Sequence, residues 1–186
     1  ETDLQAIEHN LKIFSQHLSP GSQIIAVIKA SAYGSGSEEL ARYLEFKKVG
    51  YLAVAFIDEG VQLRKAGVLL PIIILNPDRN GVLDMIKYEL EPEVYSIEQL
   101  NEIIPLLTVD VDLRFQIHLK IDTGMHRLGF VEDDLKELCE ILTSNKQLKV
   151  KSIFSHLSSS EDPGDDAYTR DQVKALNNHY NYICQN

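Results

Sequence analysis

The sequence is poor in cysteine, and only Cys139 and Cys184 occur among its 186 residues. Such a chain is not a disulfide scaffold, and we predict that both cysteines are buried, reduced thiols of a cytoplasmic protein. Long hydrophobic runs are also missing, because no stretch approaches the roughly 18 apolar residues of a membrane span. Positive charge is scarce, since 18 Lys and Arg stand against 28 Asp and Glu. The net charge of −10 argues against a nucleic-acid partner, and we expect no membrane partner.

Several catalytic and targeting motifs are absent as well. No H-E-x-x-H, C-x-x-C or G-x-S-x-G pattern is present, so a zinc protease site, a cysteine zinc site and a hydrolase nucleophile elbow have no support. We therefore predict no metal site. Residues 1–20 show helical periodicity without a basic start followed by an apolar block, so we expect no signal peptide. The chain begins with Glu1 and ends within a helical pattern, and we expect it to be a piece of a longer protein.

What the sequence does contain is a regular alternation of strand and helix patterns. Segments rich in β-branched or alternating apolar residues predict six strands, and residues at helical spacing follow each of them. The predicted strands cover residues 24–29, 50–56, 71–75, 91–95, 114–122 and 148–156. An amphipathic helix precedes them, because apolar residues recur at helical intervals from Leu4 to Leu18. Ser35 and Ser96 are predicted to cap the helices after the first and fourth strands.

This alternation implies parallel strands, arranged either as an open doubly wound sheet or as a barrel. Along the fifth strand, apolar residues alternate with Gln116, His118, Lys120 and Asp122. A barrel with a polar, functional interior fits this alternation better than a sheet with helices on both faces. We therefore predict an α/β fold of the parallel (β/α) TIM-barrel type. A complete barrel needs about 250 residues, so residues 1–186 would form a single partial barrel domain with about six of the eight units.

Lys29 ends the first predicted strand and continues into a segment with Tyr33, Gly34 and Gly36. In a parallel barrel this is the carboxyl end, where active sites are built. Partial desolvation there would favour the neutral lysine amine that forms a Schiff base. The alternative structural interpretation is a lysine that extends from a strand end into solvent. The segment Gly34-Ser35-Gly36 lacks the G-x-G-x-x-G pattern and the P-loop lysine, so it is a weak nucleotide signal and suits a simple turn.

A second group of polar residues surrounds the end of the fifth strand. Arg127 could clamp a carboxylate or phenolate, with Asp122 or Lys120 holding its guanidinium fork. The alternative is a salt-bridged rim. His156, at the end of the sixth strand, offers a flat imidazole that could stack on a planar cofactor, or it could be only a hydrogen-bonded rim residue. Taken alone, the residues leave these alternatives open.

Three segments of the sequence resemble bacterial alanine racemases. Residues 27–36 (VIKASAYGSG) resemble the pyridoxal phosphate lysine motif of that family, usually V-K-A-N-A-Y-G-H-G. Residues 119–129 (LKIDTGMHRLG) resemble its K-x-D-T-G-M-x-R-L-G, and residues 154–157 (FSHL) resemble its F-T-H-F. The departures are Ser31 for Asn, Ser35 for His, and His126 where Gly is common. Ser35 and His126 resemble the subgroup in which the racemase is fused behind a ligase that builds the peptidoglycan peptide.

The resemblance implies a cytoplasmic isomerase that uses pyridoxal 5'-phosphate to interconvert L- and D-alanine for cell-wall peptidoglycan. Lys29 would carry the cofactor and act as one of two racemising bases. Arg127 would bond the phenolic oxygen of the cofactor and the substrate carboxylate. Tyr33 would contact the cofactor phosphate, and His156 would lie near the pyridine ring. Lys120 would correspond to a lysine that is carbamylated in many members and supports the arginine.

The same resemblance implies that parts of the enzyme lie outside these residues. In the family, two further strands complete the phosphate site, and a separate β domain supplies the second base, a tyrosine, across a head-to-tail homodimer. We therefore expect the isolated chain to be inactive. Two other functions stay open. One is a barrel that carries pyridoxal phosphate without racemising anything, although Tyr33 and Gly34 argue against this function. The other is a barrel-type D-amino-acid lyase or aldolase, which usually needs a metal.

Overall fold

Six parallel β-strands follow one another in the sheet in the same order as in the chain. The structure is a computed structural model and describes residues 2–109 and 114–186. The strands are β1 (Ile25–Val27), β2 (Tyr51–Val54), β3 (Ile72–Ile74), β4 (Leu90–Val94), β5 (Phe115–Lys120) and β6 (Leu148–Phe154). A doubly wound sheet reverses its strand order at a switch point, whereas sequential order is that of a barrel. The predicted fold class, a parallel (β/α) barrel of about six units, is therefore confirmed.

Seven right-handed α-helices lie within the described residues, one before β1 and the others after successive strands. They are α1 (Leu4–His17), α2 (Ser37–Phe46), α3 (Ile57–Lys65), α4 (Val82–Lys87), α5 (Ile97–Ile103), α6 (Leu135–Ser144) and α7 (Asp166–Gln185). The Ser96 side chain accepts a hydrogen bond from the Gln99 N–H at 3.2 Å and caps α5, as predicted. Within residues 2–109 and 114–186, no helix is both long and apolar enough to span a membrane.

Two predictions from the sequence are wrong in detail. Ser35 does not cap α2, because the residue before that helix is Gly36, with φ of 90°, and no side chain caps it. Left-handed backbone occupies residues 30–34 and Gly36 also has a positive φ, so the helix begins later than a serine cap at position 35 would require. Of the two predicted buried thiols, Cys139 is buried but Cys184 is exposed. Cys184 lies near the end of α7, where the side chains are mostly exposed.

The chain divides into two compact units, Glu1–Glu91 and Pro92–Asn186, each with its own buried apolar residues. In the first unit, every residue of β3 is buried, as expected for a parallel strand covered on both faces. In the second unit, Ile117 and Leu119 of β5 and Phe130 have no exposed surface. Burying one such side chain contributes about 1.5–3 kcal/mol to stability. These residues belong to the buried cores of the two units.

Strand β5 also buries polar side chains, which is unusual for a core strand. His118 is 2 % exposed and Lys120 is 8 % exposed. Nδ1 of His118 lies 2.7 Å from the Ser152 hydroxyl of β6. Burying charged or polar groups costs free energy unless they are paired, so their presence in β5 indicates a function rather than packing alone.

Candidate active site

The backbone after Lys29 forms one turn of left-handed helix. Ala30, Ser31, Ala32 and Tyr33 have φ values of 53°, 52°, 53° and 55°. For residues with a Cβ, this conformation costs ~1–2 kcal/mol each, and runs of it are rare. Strained backbone persists only where the surroundings enforce it, and it clusters at functional sites. The strained turn (residues 30–33) therefore indicates a candidate site directly after β1. None of its residues favours left-handed backbone, so this conformation could not be predicted from the sequence.

Glu59 of α3 holds the start of the strained turn. Its carboxylate accepts hydrogen bonds from the N–H groups of Ala30 at 2.6 Å, Ala55 at 2.7 Å and Phe56 at 3.1 Å. Hydrogen bonds to a charged acceptor contribute about 1.5–3 kcal/mol, so Glu59 offsets part of the backbone strain next to Lys29. In the sequence, Glu59 is only a charged residue near the start of a helical pattern, because its contact with residue 30 is made by the fold.

Lys29 itself is half-buried and lies two residues after β1, which ends at Val27 and not at Lys29 as predicted. Tyr33, at the end of the strained turn, is 68 % exposed, so its hydroxyl is open to solvent. Gly34 follows with φ of 87°, a value that a glycine adopts without strain. The first unit therefore presents an amine, a phenol and a loop fixed by Glu59 at the carboxyl ends of β1 and β2.

In the second unit, Lys120 forms a buried ion pair with Glu93 of β4. The Lys120 Nζ donates to Glu93 Oε1 at 2.9 Å, and the two side chains are 10 % and 1 % exposed. Burial raises the pKa of Glu93, and the hydrogen bond and charge of Lys120 lower it again in part, so that its pKa lies above the ordinary glutamate value. The sequence gives no signal for the role of Glu93, because it is one residue of a predicted strand and its partner Lys120 lies on the next strand.

Asp122, just after β5, organises the loop that carries Arg127. Its Oδ1 accepts hydrogen bonds from the N–H groups of Gly124 at 2.8 Å and His126 at 3.1 Å. Burial alone would raise the pKa of Asp122, but these two backbone bonds and the nearby His126 hold the pKa below the ordinary aspartate value. The Asp122 carboxylate is thus a structural acceptor for its own loop.

The far end of the same loop is closed by Gly129 and Phe130. The Phe130 N–H donates to the Lys120 carbonyl at 2.9 Å, and the Asp122 N–H donates to the Phe130 carbonyl at 3.0 Å. A Cβ on Gly129, whose φ is 135°, would lie 2.3 Å from the Asp122 nitrogen. Only glycine permits this approach, so the loop returns to the strand at a fixed point.

Arg127 lies on this closed loop with its side chain exposed. The sequence predicted that Asp122 or Lys120 would hold its guanidinium. Within the described part of the chain, Asp122 instead binds its own loop and His126, and Lys120 binds Glu93. The physical reason is that the Lys120 Nζ contacts the buried carboxylate of Glu93 instead. Arg127 is therefore positioned by its loop rather than by either predicted partner.

His156 follows the end of β6, and its side chain is exposed. Its carbonyl accepts a hydrogen bond from Nε2 of Gln172, a residue of α7 that is only 1 % exposed. The same Nε2 lies 3.2 Å from the Thr123 hydroxyl, and Thr123 and Ser155 are joined through their hydroxyls at 2.7 Å. Gln172 therefore ties the ends of β5 and β6 together, a role that helical spacing in the sequence could not reveal.

Each of the two units presents candidate residues at the ends of its strands. The first unit offers the Lys29 amine and the Tyr33 phenol, and the second offers the Arg127 guanidinium and the His156 imidazole, all partly or largely exposed. The amine and hydroxyl of the first unit, and separately the guanidinium and flat ring of the second, are groups that a planar, anionic, carbonyl-bearing cofactor such as pyridoxal phosphate can use. The residues present therefore fit that group.

Comparisons with known proteins agree with the motifs. Residues 2–185 match the family described as "Alanine racemase, N-terminal domain". The chain is 36 % identical over 179 residues to alanine racemase 1 of Oceanobacillus iheyensis, covering 95 % of this chain and 47 % of that protein. It is also 36 % identical over 181 residues to the alanine racemase of Geobacter sp., covering 95 % and 48 % respectively.

Solved structures give the same result. The alanine racemase of Clostridium difficile 630, in complex with cycloserine, superposes with a TM-score of 0.85 at 32 % identity. The match covers 98 % of this chain and 49 % of that one. The chain therefore spans about half the length of the curated relatives and solved structures that it matches.

Proposed function

The chain belongs to the alanine racemase N-terminal domain family, and from this premise we propose that it is the cofactor-lysine part of a pyridoxal-phosphate-dependent alanine racemase. The observation that carries the proposal is the strained turn directly after Lys29, held by Glu59 at 2.6 Å. Strain of this kind is retained where the geometry of a neighbouring side chain matters. Family membership and this local geometry point to the same lysine.

We propose the following roles for the side chains of the chain. The Lys29 amine holds the cofactor covalently and then moves a proton to or from Cα of alanine. The Arg127 guanidinium bonds the phenolic oxygen of the cofactor and the substrate carboxylate, which suits its two-pronged donor geometry. The Tyr33 hydroxyl donates to the phosphate, and His156 lies against the ring. When bound, pyridoxal phosphate supplies the electron sink that makes the Cα proton acidic.

The reaction and its setting are also proposals. Racemisation takes a proton from one face of Cα and returns it to the other, so it needs a base on each face. Lys29 serves one face, and the second base, a tyrosine by resemblance, belongs to a part of the homodimer outside these residues. The substrates would be L- and D-alanine, and the D-alanine would enter peptidoglycan synthesis in the cytoplasm.

The proposal is tested by replacing Lys29 in the complete polypeptide that contains this chain. With pyridoxal phosphate and L-alanine supplied, D-alanine formation should fall at least about 10²-fold in Lys29→Ala, because a catalytic base contributes 10²–10⁴-fold. Lys136→Ala is the matched control, since Lys136 is an exposed lysine of α6, and it should keep full activity. A Lys29→Ala enzyme as active as the control, or a wild-type protein that leaves alanine unchanged, would refute the proposal.

A further inference from the structure

The buried pair of Glu93 and Lys120 has an unequal arrangement of hydrogen bonds. Glu93 Oε1 accepts from Lys120 Nζ at 2.9 Å, whereas Oε2 is buried and has no hydrogen-bond partner within the described residues. Nζ also lies 5.8 Å from the centre of the Phe154 ring, a position that favours a cation. The surroundings of Nζ, a carboxylate and an aromatic face, are therefore those of an ammonium ion.

Two other charged or titratable groups act on this pair. They are His118, which lies on β5 with Lys120, and Arg127, which lies on the loop after β5. Both lower the pKa of Glu93 electrostatically, in addition to the larger effect of Lys120 and against the rise caused by burial. The coupling is reciprocal, so an ionised Glu93 attracts the positive charge of Arg127. When it is ionised, Glu93 thus places a negative charge in this part of the second unit.

Carbamylation of Lys120 would work against this arrangement. In that reaction the neutral amine attacks carbon dioxide, an N–C bond forms, and one amine proton is released to solvent, which leaves an N-carboxylate. The carboxylate at 2.9 Å favours the ammonium, which has no lone pair for the attack. The product would place a second anion beside a buried glutamate, and two like charges at such a distance repel strongly in a poorly hydrated site.

We propose that the charge of Glu93 keeps Lys120 as an ammonium ion and prevents its carbamylation, so that Glu93 provides the buried anion that a carbamate would otherwise supply. Glu93 is then a positioning residue, because it acts through Lys120 and the field at Arg127. The link to catalysis rests on the proposed function, whereas the chemical state of Lys120 does not. The sequence resemblance implies that Lys120 is carbamylated, and for this chain the proposal replaces that expectation with an unmodified lysine.

The test uses the complete polypeptide in buffer equilibrated with ¹³C-labelled bicarbonate and observes carbamate carbon by NMR. Wild type should show no carbamate on Lys120, and Glu93→Gln should show it stoichiometrically. Glu91→Gln, which changes another buried glutamate of β4, should match wild type. The double variant Glu93→Gln with Lys120→Arg should lose the signal, which assigns it to Lys120. If Glu93→Gln does not fold, Glu93→Thr offers an uncharged residue that suits a strand.

Each outcome of this experiment either supports or overturns the proposal. Carbamate on wild-type Lys120, or no carbamate in the folded uncharged variants, would overturn the proposal. Absence in wild type together with appearance in those variants supports it. Because the readout is a spectroscopic signal rather than turnover, a protein that fails to racemise alanine would leave this result intact and would count only against the proposed function.

Discussion

Single carboxylates fix most of the geometry around the candidate residues. Glu59 accepts from three backbone N–H groups, Asp122 accepts from two, and Glu93 pairs with Lys120. In each case the carboxylate holds backbone N–H groups or a side chain within the protein. None of these partners could be predicted from the sequence, because they are set by the folded chain.

The hydrogen bonds of Asp122 predict a pH-dependent stability difference. Asp122→Asn keeps an oxygen acceptor but loses its charge, so it should lower the free energy of unfolding by about 1 kcal/mol at neutral pH. The folded pKa lies below the ordinary value, so the charge contributes fully above the unfolded pKa and is lost as pH falls through the folded pKa. Urea titrations across pH should show the two proteins converging in acid. A difference that stays constant or grows in acid would contradict this assignment.

At the scale of elements, the most informative feature is the strained turn. Four consecutive residues with a Cβ adopt left-handed backbone, and they are stabilised by the Glu59 bond to Ala30 and by the Ala32 N–H bond to the Ile28 carbonyl at 3.0 Å. The turn connects the end of β1 to α2 and determines where Lys29 and Tyr33 project. Its conformation is a property of the element and its surroundings rather than of any one residue.

Glycine substitutions at one left-handed position, Ala30, and one right-handed position, Ala6, test whether the turn is strained. Ala30→Gly removes a Cβ from left-handed backbone, so stability should stay the same or rise by up to about 1 kcal/mol. Ala6→Gly is the matched control in right-handed α1, where both alanines are exposed, and it should cost about 0.5–1 kcal/mol. Equal losses in denaturant unfolding would show that the turn is not strained.

The sequence predicted the elements well and the contacts poorly. Apolar periodicity and β-branched runs located the six strands and the helices between them, because those patterns report burial directly. The handedness of residues 30–33 could not be predicted, since alanine, serine and tyrosine all prefer right-handed backbone. The pair of Glu93 and Lys120 could not be predicted either. The two residues are 27 positions apart in the sequence, and they meet only through the register of β4 and β5.

At the scale of the whole molecule, two observations matter for function. The strands follow one another in sequential order, with β1 and β6 at the two ends, and the chain matches about half the length of known relatives. The chain contains one proposed base and most of the proposed cofactor contacts. The opposite base and the rest of the phosphate site would come from elsewhere in the enzyme. We therefore propose that activity requires the longer protein and its homodimer.

This division predicts the behaviour of the 186-residue chain by itself. Supplied with pyridoxal phosphate and L-alanine, it should form D-alanine no faster than free pyridoxal phosphate does, because losing one base alone costs about 10²–10⁴-fold. A D-alanine assay with free cofactor as the control gives the comparison. Turnover well above that control, which disappears in Lys29→Ala, would show that the chain contains both bases.

The central claim is that Lys29 is the residue that binds the cofactor, and covalent trapping tests it most directly. The complete polypeptide is incubated with pyridoxal phosphate, reduced with borohydride, digested and mapped by mass spectrometry. Reduction converts the reversible link between the aldehyde and an amine into a stable bond, so the modified lysine can be identified. We predict a single pyridoxyl label on Lys29. A label on Lys120 or on a surface lysine such as Lys136, with Lys29 unmodified, would contradict the claim.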